Sequence, residues 1–305
     1  MPSPTVLAFY AFVPLPDYKL LRSPLLQLCD LNGLQGSILL AEEGINGTVA
    51  GSAAGIQALD AWLDADGRFG HREAKYAKAN EMPFKRMKVR LKREIVSLGQ
   101  HGIDPTRETG TYVEPAAWNE LISSPDVVVI DTRNDYEIEA GTFEGAIDPQ
   151  TPTFRDFPAF VEAELDPAQH TKVAMFCTGG IRCEKATAYL LQEGFRDVYH
   201  LKGGILNYLE YVDPEESMWQ GECFVFDERV TVDHALQPGS FGLCFGCKRP
   251  VSPEAMQAPE YEEGVSCPAC YAEKTEHDRA SARERHRQEY LARARGQRHV
   301  GRVEA

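Results

Sequence analysis

The chain has 305 residues, 43% hydrophobic and 26% charged, a balance that excludes a mainly disordered or fibrous protein. Its length suggests about two domains, with room for three small ones. A net charge of −14 argues against non-specific nucleic-acid binding by the molecule as a whole, and no apolar run approaches the ~20 residues of a membrane helix.

The opening residues MPSPTVLAFYAFVPLPDYK carry no basic stretch ahead of the apolar one. They read as a strand, not a signal peptide. The expected compartment is the cytoplasm, where eight cysteines point to catalysis or metal binding before structural disulfides. Residues 6–12 predict a strand. Residues 20–31 carry helical spacing through Leu21, Leu25, Leu28 and Cys29, with Pro24 placing the helix start near itself. Residues 37–41 predict a strand, and EEGINGTVAG supplies glycine turns around another. Residues 53–63 predict a helix with Ile56, Leu59, Trp62 and Leu63 on its apolar face. Residues 84–91 alternate, with Met87, Val89 and Leu91 on one side and Lys88, Arg90 and Lys92 on the other. The order β-α-β-β-α-β predicts a ferredoxin-like α+β domain over residues 1–98.

This domain also holds the chain's main charge asymmetry. Residues 68–93 contain ten Lys/Arg against two acidic residues. Such a block inside an acidic protein is either a polyanion footprint or a solvated strand and loop. The alternation gathers its basic side chains on one face. Lys85, Arg86, Lys88, Arg90 and Lys92 are therefore the candidate nucleic-acid contacts.

Residues 99–110 (GQHGIDPTRETG) read as a linker. A parallel α/β domain is predicted over 112–213. VVVID and VAMFC are buried strands, DVYHLKGG is a third strand running into a loop, and helices fall near 134–140, 154–165 and 183–193.

The most informative stretch is FCTGGIRCEKATAYLL. A buried strand ends at Cys177, a glycine loop follows, and a helix begins near Cys183. Glycines let successive N–H groups turn inward. The helix N-terminus adds partial positive charge and Arg182 a full one. All three favour thiolate, so Cys177 is the candidate nucleophile. A cysteine can also serve merely as a small buried side chain, but that role needs no such loop. Cys183 lies six residues on, either as a resolving thiol or as a small helix-start residue.

Cys-dependent phosphatases separate Cys and Arg by five residues, whereas Cys177 and Arg182 are separated by four. The shorter loop resembles the rhodanese family, whose cysteine carries a persulfide sulfur. VVVIDTRNDYEIEAGTFEGAI, with Asp131 and Arg133, and LKGGILNY extend the resemblance through the second domain. It implies supporting roles for Asp131 and Arg133. The wider pattern is more specific. EEGINGTVAG in a preceding small domain, CTGGIRCEKA, and a downstream CFVFDERVTVDH resemble the bacterial tRNA uridine 5-hydroxylases over residues 5–275. The resemblance implies oxygen-dependent hydroxylation of the wobble uridine to 5-hydroxyuridine. Molecular oxygen is then a co-substrate and tRNA the partner, with an electron donor that no motif identifies. No flavin or haem signature and no 2-His-1-carboxylate spacing is present, so no organic cofactor is expected. Two other readings remain open: a sulfurtransferase carrying a cysteine persulfide, and a non-catalytic zinc-containing RNA-binding adaptor.

Residues 214–305 form a Cys-rich segment and a charged tail. Cys244, Cys247, Cys267 and Cys270 have the spacing C-x2-C-x19-C-x2-C, which suits a four-thiolate structural zinc site. From Thr275 onward the Arg, Glu and His content predicts a solvated helix or a disordered tail. Cys29 and Cys223 lie in apolar strings and are assigned to packing. His200 and His234 are read as structural.

Overall fold

A computed structural model describes residues 3–295. Strand β1 (Thr5–Phe12) turns Leu7, Phe9 and Ala11 toward a core and Ala8, Tyr10 and Phe12 the other way. Helix α1 (Tyr18–Leu31) follows, then β2 (Gln35–Ala41), β3 (Gly44–Gly51), α2 (Ala53–Ala65), β4 (Glu73–Lys78) and β5 (Met87–Leu91). The sheet order is β4-β1-β3-β2-β5. Strand β5 runs parallel to β2, and the other neighbours are antiparallel. Leu25, Cys29, Ile56, Leu59 and Leu63 from the two helices cover one face.

The expected β-α-β-β-α-β order is present, but its last strand is β4 and not 84–91. In EAKYAK, Ala74 packs against this core and Ala77 against a small cluster of Val6, Ala50 and Ala79 on the other face, so the strand carries almost no hydrophobic alternation to read. Residues 87–91 alternate better because Val89 is buried, yet they form a fifth strand on the opposite edge. Pro24 also lies inside α1, not at its start. It removes the hydrogen bond to the Leu20 carbonyl, and Leu20 is exposed, so water can replace it.

The second body contains β6 (Thr111–Val113), α3 (Pro115–Ile122), β7 (Val127–Asp131), α4 (Asp135–Ile138), β8 (Gly141–Phe143), α5 (Phe157–Glu164), β9 (Lys172–Phe176), α6 (Ile181–Gln192), β10 (Asp197–Leu201) and α7 (Gly204–Tyr211). Its sheet, ordered β6-β10-β9-β7, is parallel throughout. Phe157, Val161, Ala186 and Leu190 of α5 and α6 cover one face. Trp118, Ile205 and Tyr208 of α3 and α7 cover the other. Burial on both faces is why the strands are continuous apolar runs. The stretch 99–110 lies against this body, with Ile103 packed on its core and the Gly110 amide bonded to Thr187 at 2.9 Å.

Beyond it, β11 (Trp219–Gly221) pairs with β8. Strands β12 (Cys223–Phe224) and β13 (Thr231–Val232) pair with each other, and Cys223 and Val232 join the second core. Strands β14 (Gly242–Leu243) and β15 (Pro250–Val251) and helix α8 (Pro268–Tyr271) frame the four clustered cysteines. Helix α9 (Glu276–Ala294) occupies most of the charged tail, and the rest of that tail lies outside the described residues. Among the described residues, no helix is long and apolar enough to cross a membrane.

Candidate active site and metal centre

The loop from Cys177 to Gly180 joins β9 to α6. Gly180 has φ of +97°, and a Cβ there would stand 3.0 Å from the Tyr10 hydroxyl. Gly204 takes φ of +67°, and its Cβ would stand 2.4 Å from the Cys177 carbonyl oxygen. That close approach lets the start of α7 bind the loop. The amides of Ile205 and Leu206 donate to the carbonyls of Cys177 and Thr178 at 2.9 and 3.1 Å. With its carbonyls turned outward, the loop's amides turn in, and the Gly180 N–H donates to Cys177 Sγ at 3.1 Å.

Burial raises the energy of a Cys177 thiolate. The Cys183 thiol hydrogen bond, the Arg182 charge and the backbone amides of Cys183 and Arg182 outweigh it, leaving the thiol well below its ordinary range. Cys183 moves the opposite way, pushed up by burial and by the neighbouring Cys177 sulfur. The two sulfurs thus differ in acidity, with the Cys183 thiol donating a hydrogen bond to the Cys177 sulfur. Cys177 has no exposed surface. Its sulfur is sealed from solvent, but by amides, a thiol and a nearby guanidinium and not by hydrocarbon alone.

Arg182 does not reach this sulfur unencumbered. Its guanidinium binds both oxygens of Glu137 at 2.8 and 2.6 Å, and Glu137 is wholly buried. Sequence reasoning missed Glu137, whose partner lies 45 residues away on another element. Asp131 and Arg133 are both fully buried and paired at 2.6 Å. Arg133 also donates to the carbonyls of Glu137 and Gly141, so this pair braces the turn that presents Glu137.

The N-terminal sheet closes the site from above. Tyr10 donates to Glu184 at 3.2 Å, and the same carboxylate accepts from Tyr112 and Thr109. Burial pushes Glu184 upward, against the pull of those three hydroxyls. Lys185, next in α6, is 2% exposed and binds Glu43 and Glu94, each at 2.7 Å. Two consecutive helix residues thus fasten the first body over the loop. Glu184 lies within the CTGGIRCEKA stretch, but nothing there names Tyr10 as its partner.

The four C-terminal sulfurs all lie within 4.8 Å of one another. Cys244 and Cys270 are 3.8 Å apart, Cys247 and Cys267 3.7 Å, and Cys267 and Cys270 3.9 Å. Metal–sulfur bonds of about 2.3 Å in a tetrahedron put sulfurs about 3.8 Å apart. The cluster therefore fits a tetrahedral metal ion.

Residues 4–95 match the family model of the UPF0176 acylphosphatase like domain, and residues 114–211 that of the rhodanese-like domain. A Brucella ovis protein named tRNA uridine(34) hydroxylase is 59% identical over 298 residues, covering 97% of this chain and 98% of that one. This chain belongs to the tRNA uridine(34) hydroxylase family. A Brucella suis protein of the same name is 58% identical, covering 97% of each. A solution structure of a rhodanese-like domain from Anabaena is 17% identical with TM-score 0.31, covering 37% of this chain and 80% of that domain.

In this member of the hydroxylase family the basic block of residues 68–93 divides in two. Arg68 is bound by Asp17 and Asp66, Arg72 by Asp60 and Asp64, and Lys75 by Glu210. Among the described residues, no ion pair involves Arg86, Lys88, Arg90 or Lys92, while Lys85 lies 3.9 Å from Glu289. Lys88 and Arg90 lie on the sheet face that the helices leave uncovered, where Ser37, Leu39, Asn46 and Thr48 are only half-buried. The register aligns Tyr10, Asn46, Leu39 and Arg90 in one row across the strands. At about 4.8 Å per strand, Arg90 stands about 14 Å from the tyrosine that caps the loop. Burial and the charges of Arg86 and Arg90 lower the Lys88 pKa, as expected where cations are crowded.

Proposed function

We propose that this protein hydroxylates uridine 34 of tRNA to 5-hydroxyuridine, taking one oxygen atom from molecular oxygen. The observation that carries the reading is the 59% identity across 97% of the chain to a protein named for that reaction. Inserting one oxygen atom into C5–H and reducing the other to water consumes two electrons and two protons. A dithiol that closes to a disulfide supplies both. In this reading Cys177 is oxidised first and Cys183 resolves it, releasing the disulfide for reduction by an external donor. Arg182, held by Glu137, stabilises the thiolate before oxidation.

The test is nucleoside analysis of tRNA incubated with the purified protein, oxygen and a thiol reductant. The expected product is 5-hydroxyuridine at position 34. Thiolated nucleosides in its place would make the protein a sulfurtransferase, and unchanged tRNA would leave only an RNA-binding role.

The uncovered sheet face would carry the tRNA. Arg86→Gln, Lys88→Gln and Arg90→Gln should each reduce the slope of log affinity against log salt by about 0.7–0.9. Titrations between 50 and 200 mM salt measure it, and a triple variant with the wild-type slope would remove this face from the interface.

The ion in the four-cysteine cluster would be zinc, acting structurally. Elemental analysis should find one zinc per chain, and Cys270→Ala should lose it together with the order of residues 242–271. Metal-free protein with an unchanged thermal midpoint would refute the role.

A further inference from the structure

Phe245 sits in the turn Cys244-Phe245-Gly246-Cys247-Lys248, between two of the clustered cysteines. It takes no part in the small core around them, which consists of Cys244, Val251, Cys267 and Cys270 with Cys247, Ala255, Met256 and Tyr261 against it. Its ring remains 39% exposed. Two ammonium groups lie over that ring, Lys248 at 4.7 Å and Lys85 at 5.8 Å from its centroid, both within cation–π range. Lys85 belongs to the turn before β5, so the cluster from one end of the chain meets the basic strand from the other. The opposing charge is Glu289, 3.9 Å from Lys85.

Two separate elements of a chain with net charge −14 thus converge cations on one open ring. A tetrathiolate metal site would draw some of that positive charge to itself. It gives no reason for an exposed phenylalanine. Lys248 also has φ of +70°, a left-handed conformation that glycine takes freely and that strains a residue with a Cβ. Arg86 follows Lys85 directly, is exposed and begins the free basic strip on the N-terminal sheet.

The geometry points to a second RNA-binding surface on the cysteine knuckle, in which Phe245 stacks on an unpaired base while Lys85 and Lys248 hold the flanking phosphates. It rests on the tRNA reading above and extends it, because nothing in the Cys177 site requires the knuckle to touch RNA. Single-stranded loops are read in this way, by aromatic rings under splayed bases and cations along the backbone. An acidic protein would satisfy the cations but would make no comparable use of the ring.

The experiment measures tRNA affinity, its salt slope and the bound metal for full-length wild type, Phe245→Leu, Phe245→Tyr and the double variant Lys85→Gln with Lys248→Gln. Phe245→Leu keeps apolar bulk and loses the π face, and it is expected to weaken binding roughly 5- to 100-fold with metal content intact. Phe245→Tyr should bind like wild type. The double lysine variant changes no cysteine and should lower the salt slope by about 1.5. Wild-type affinity and slope in both Phe245→Leu and the double variant would overturn the proposal and leave the patch to an acidic protein partner. Wild-type protein that binds no tRNA would overturn the proposed function itself, and this surface with it.

Discussion

Cys177→Ser is expected to lower 5-hydroxyuridine formation by about a thousandfold or more, because a serine hydroxyl cannot ionise in the cradle or cycle through sulfur oxidation states. Cys183→Ser should behave differently. It keeps the Cys177 sulfur but loses the partner that closes the disulfide. Turnover should stall with Cys177 as the sulfenic acid, one oxygen heavier by mass, and added dithiothreitol should restore part of the rate. A Cys177 one sulfur heavier would instead identify a persulfide carrier. Cys183→Ser with wild-type turnover and no external thiol would remove the resolving role, and full activity in Cys177→Ser would remove the mechanism. The pH profile gives an independent check. A thiol whose pKa is pushed down stays ionised at every pH above the lowered value. The rate limb due to Cys177 should therefore be flat from pH 9 down through 7 and fall only on the acid side, below the ordinary thiol range. A rate that rises tenfold per unit through pH 7–8 would mean an unactivated thiol.

The cradle around Cys177 was legible because its signal is local. A buried strand, a glycine loop, an arginine and a helix start fall within seven residues of sequence, Cys177 to Cys183, and each acts on the sulfur through backbone geometry or proximity. The four-cysteine cluster was legible for the same reason, since two short knuckles announce themselves by spacing. What was not legible depends on long-range contact. Tyr10 and Glu184 are 174 residues apart, and the tyrosine looks like any other strand aromatic. Glu43 stands in the EEGINGTVAG stretch and Glu94 in the loop after β5, but nothing in either segment names Lys185 as the partner. The basic block shows the cost of counting charge along the chain: Arg68 and Arg72 were counted with Lys88 and Arg90, yet carboxylates of the same body occupy them. The exchanged roles of β4 and β5 have a related cause. An edge strand needs only one covered side, so its pattern is weak, while the better alternating segment was free to join either edge.

Glu137→Ala tests whether the cradle depends on a charge the sequence did not reveal. Arg182 is buried, and its guanidinium spends two hydrogen bonds on Glu137, with a third contact to Thr178 Oγ1 at 3.4 Å. Removing the carboxylate leaves a buried cation with the Cys177 thiolate as its nearest counter-charge. Breaking one side of a buried pair costs about 3–5 kcal/mol, so the denaturation midpoint should fall clearly. Activity should respond separately, because the guanidinium is then free to swing onto the sulfur. A more tightly paired thiolate is a weaker nucleophile, so the rate should drop even at temperatures where the variant remains folded. Glu137→Gln keeps the shape and one acceptor oxygen and should lose less stability. If both variants keep wild-type stability, Arg182 has another partner and the carboxylate does not anchor it. If they lose stability but keep the rate per folded molecule, Glu137 supports the fold without setting the position of the charge beside Cys177.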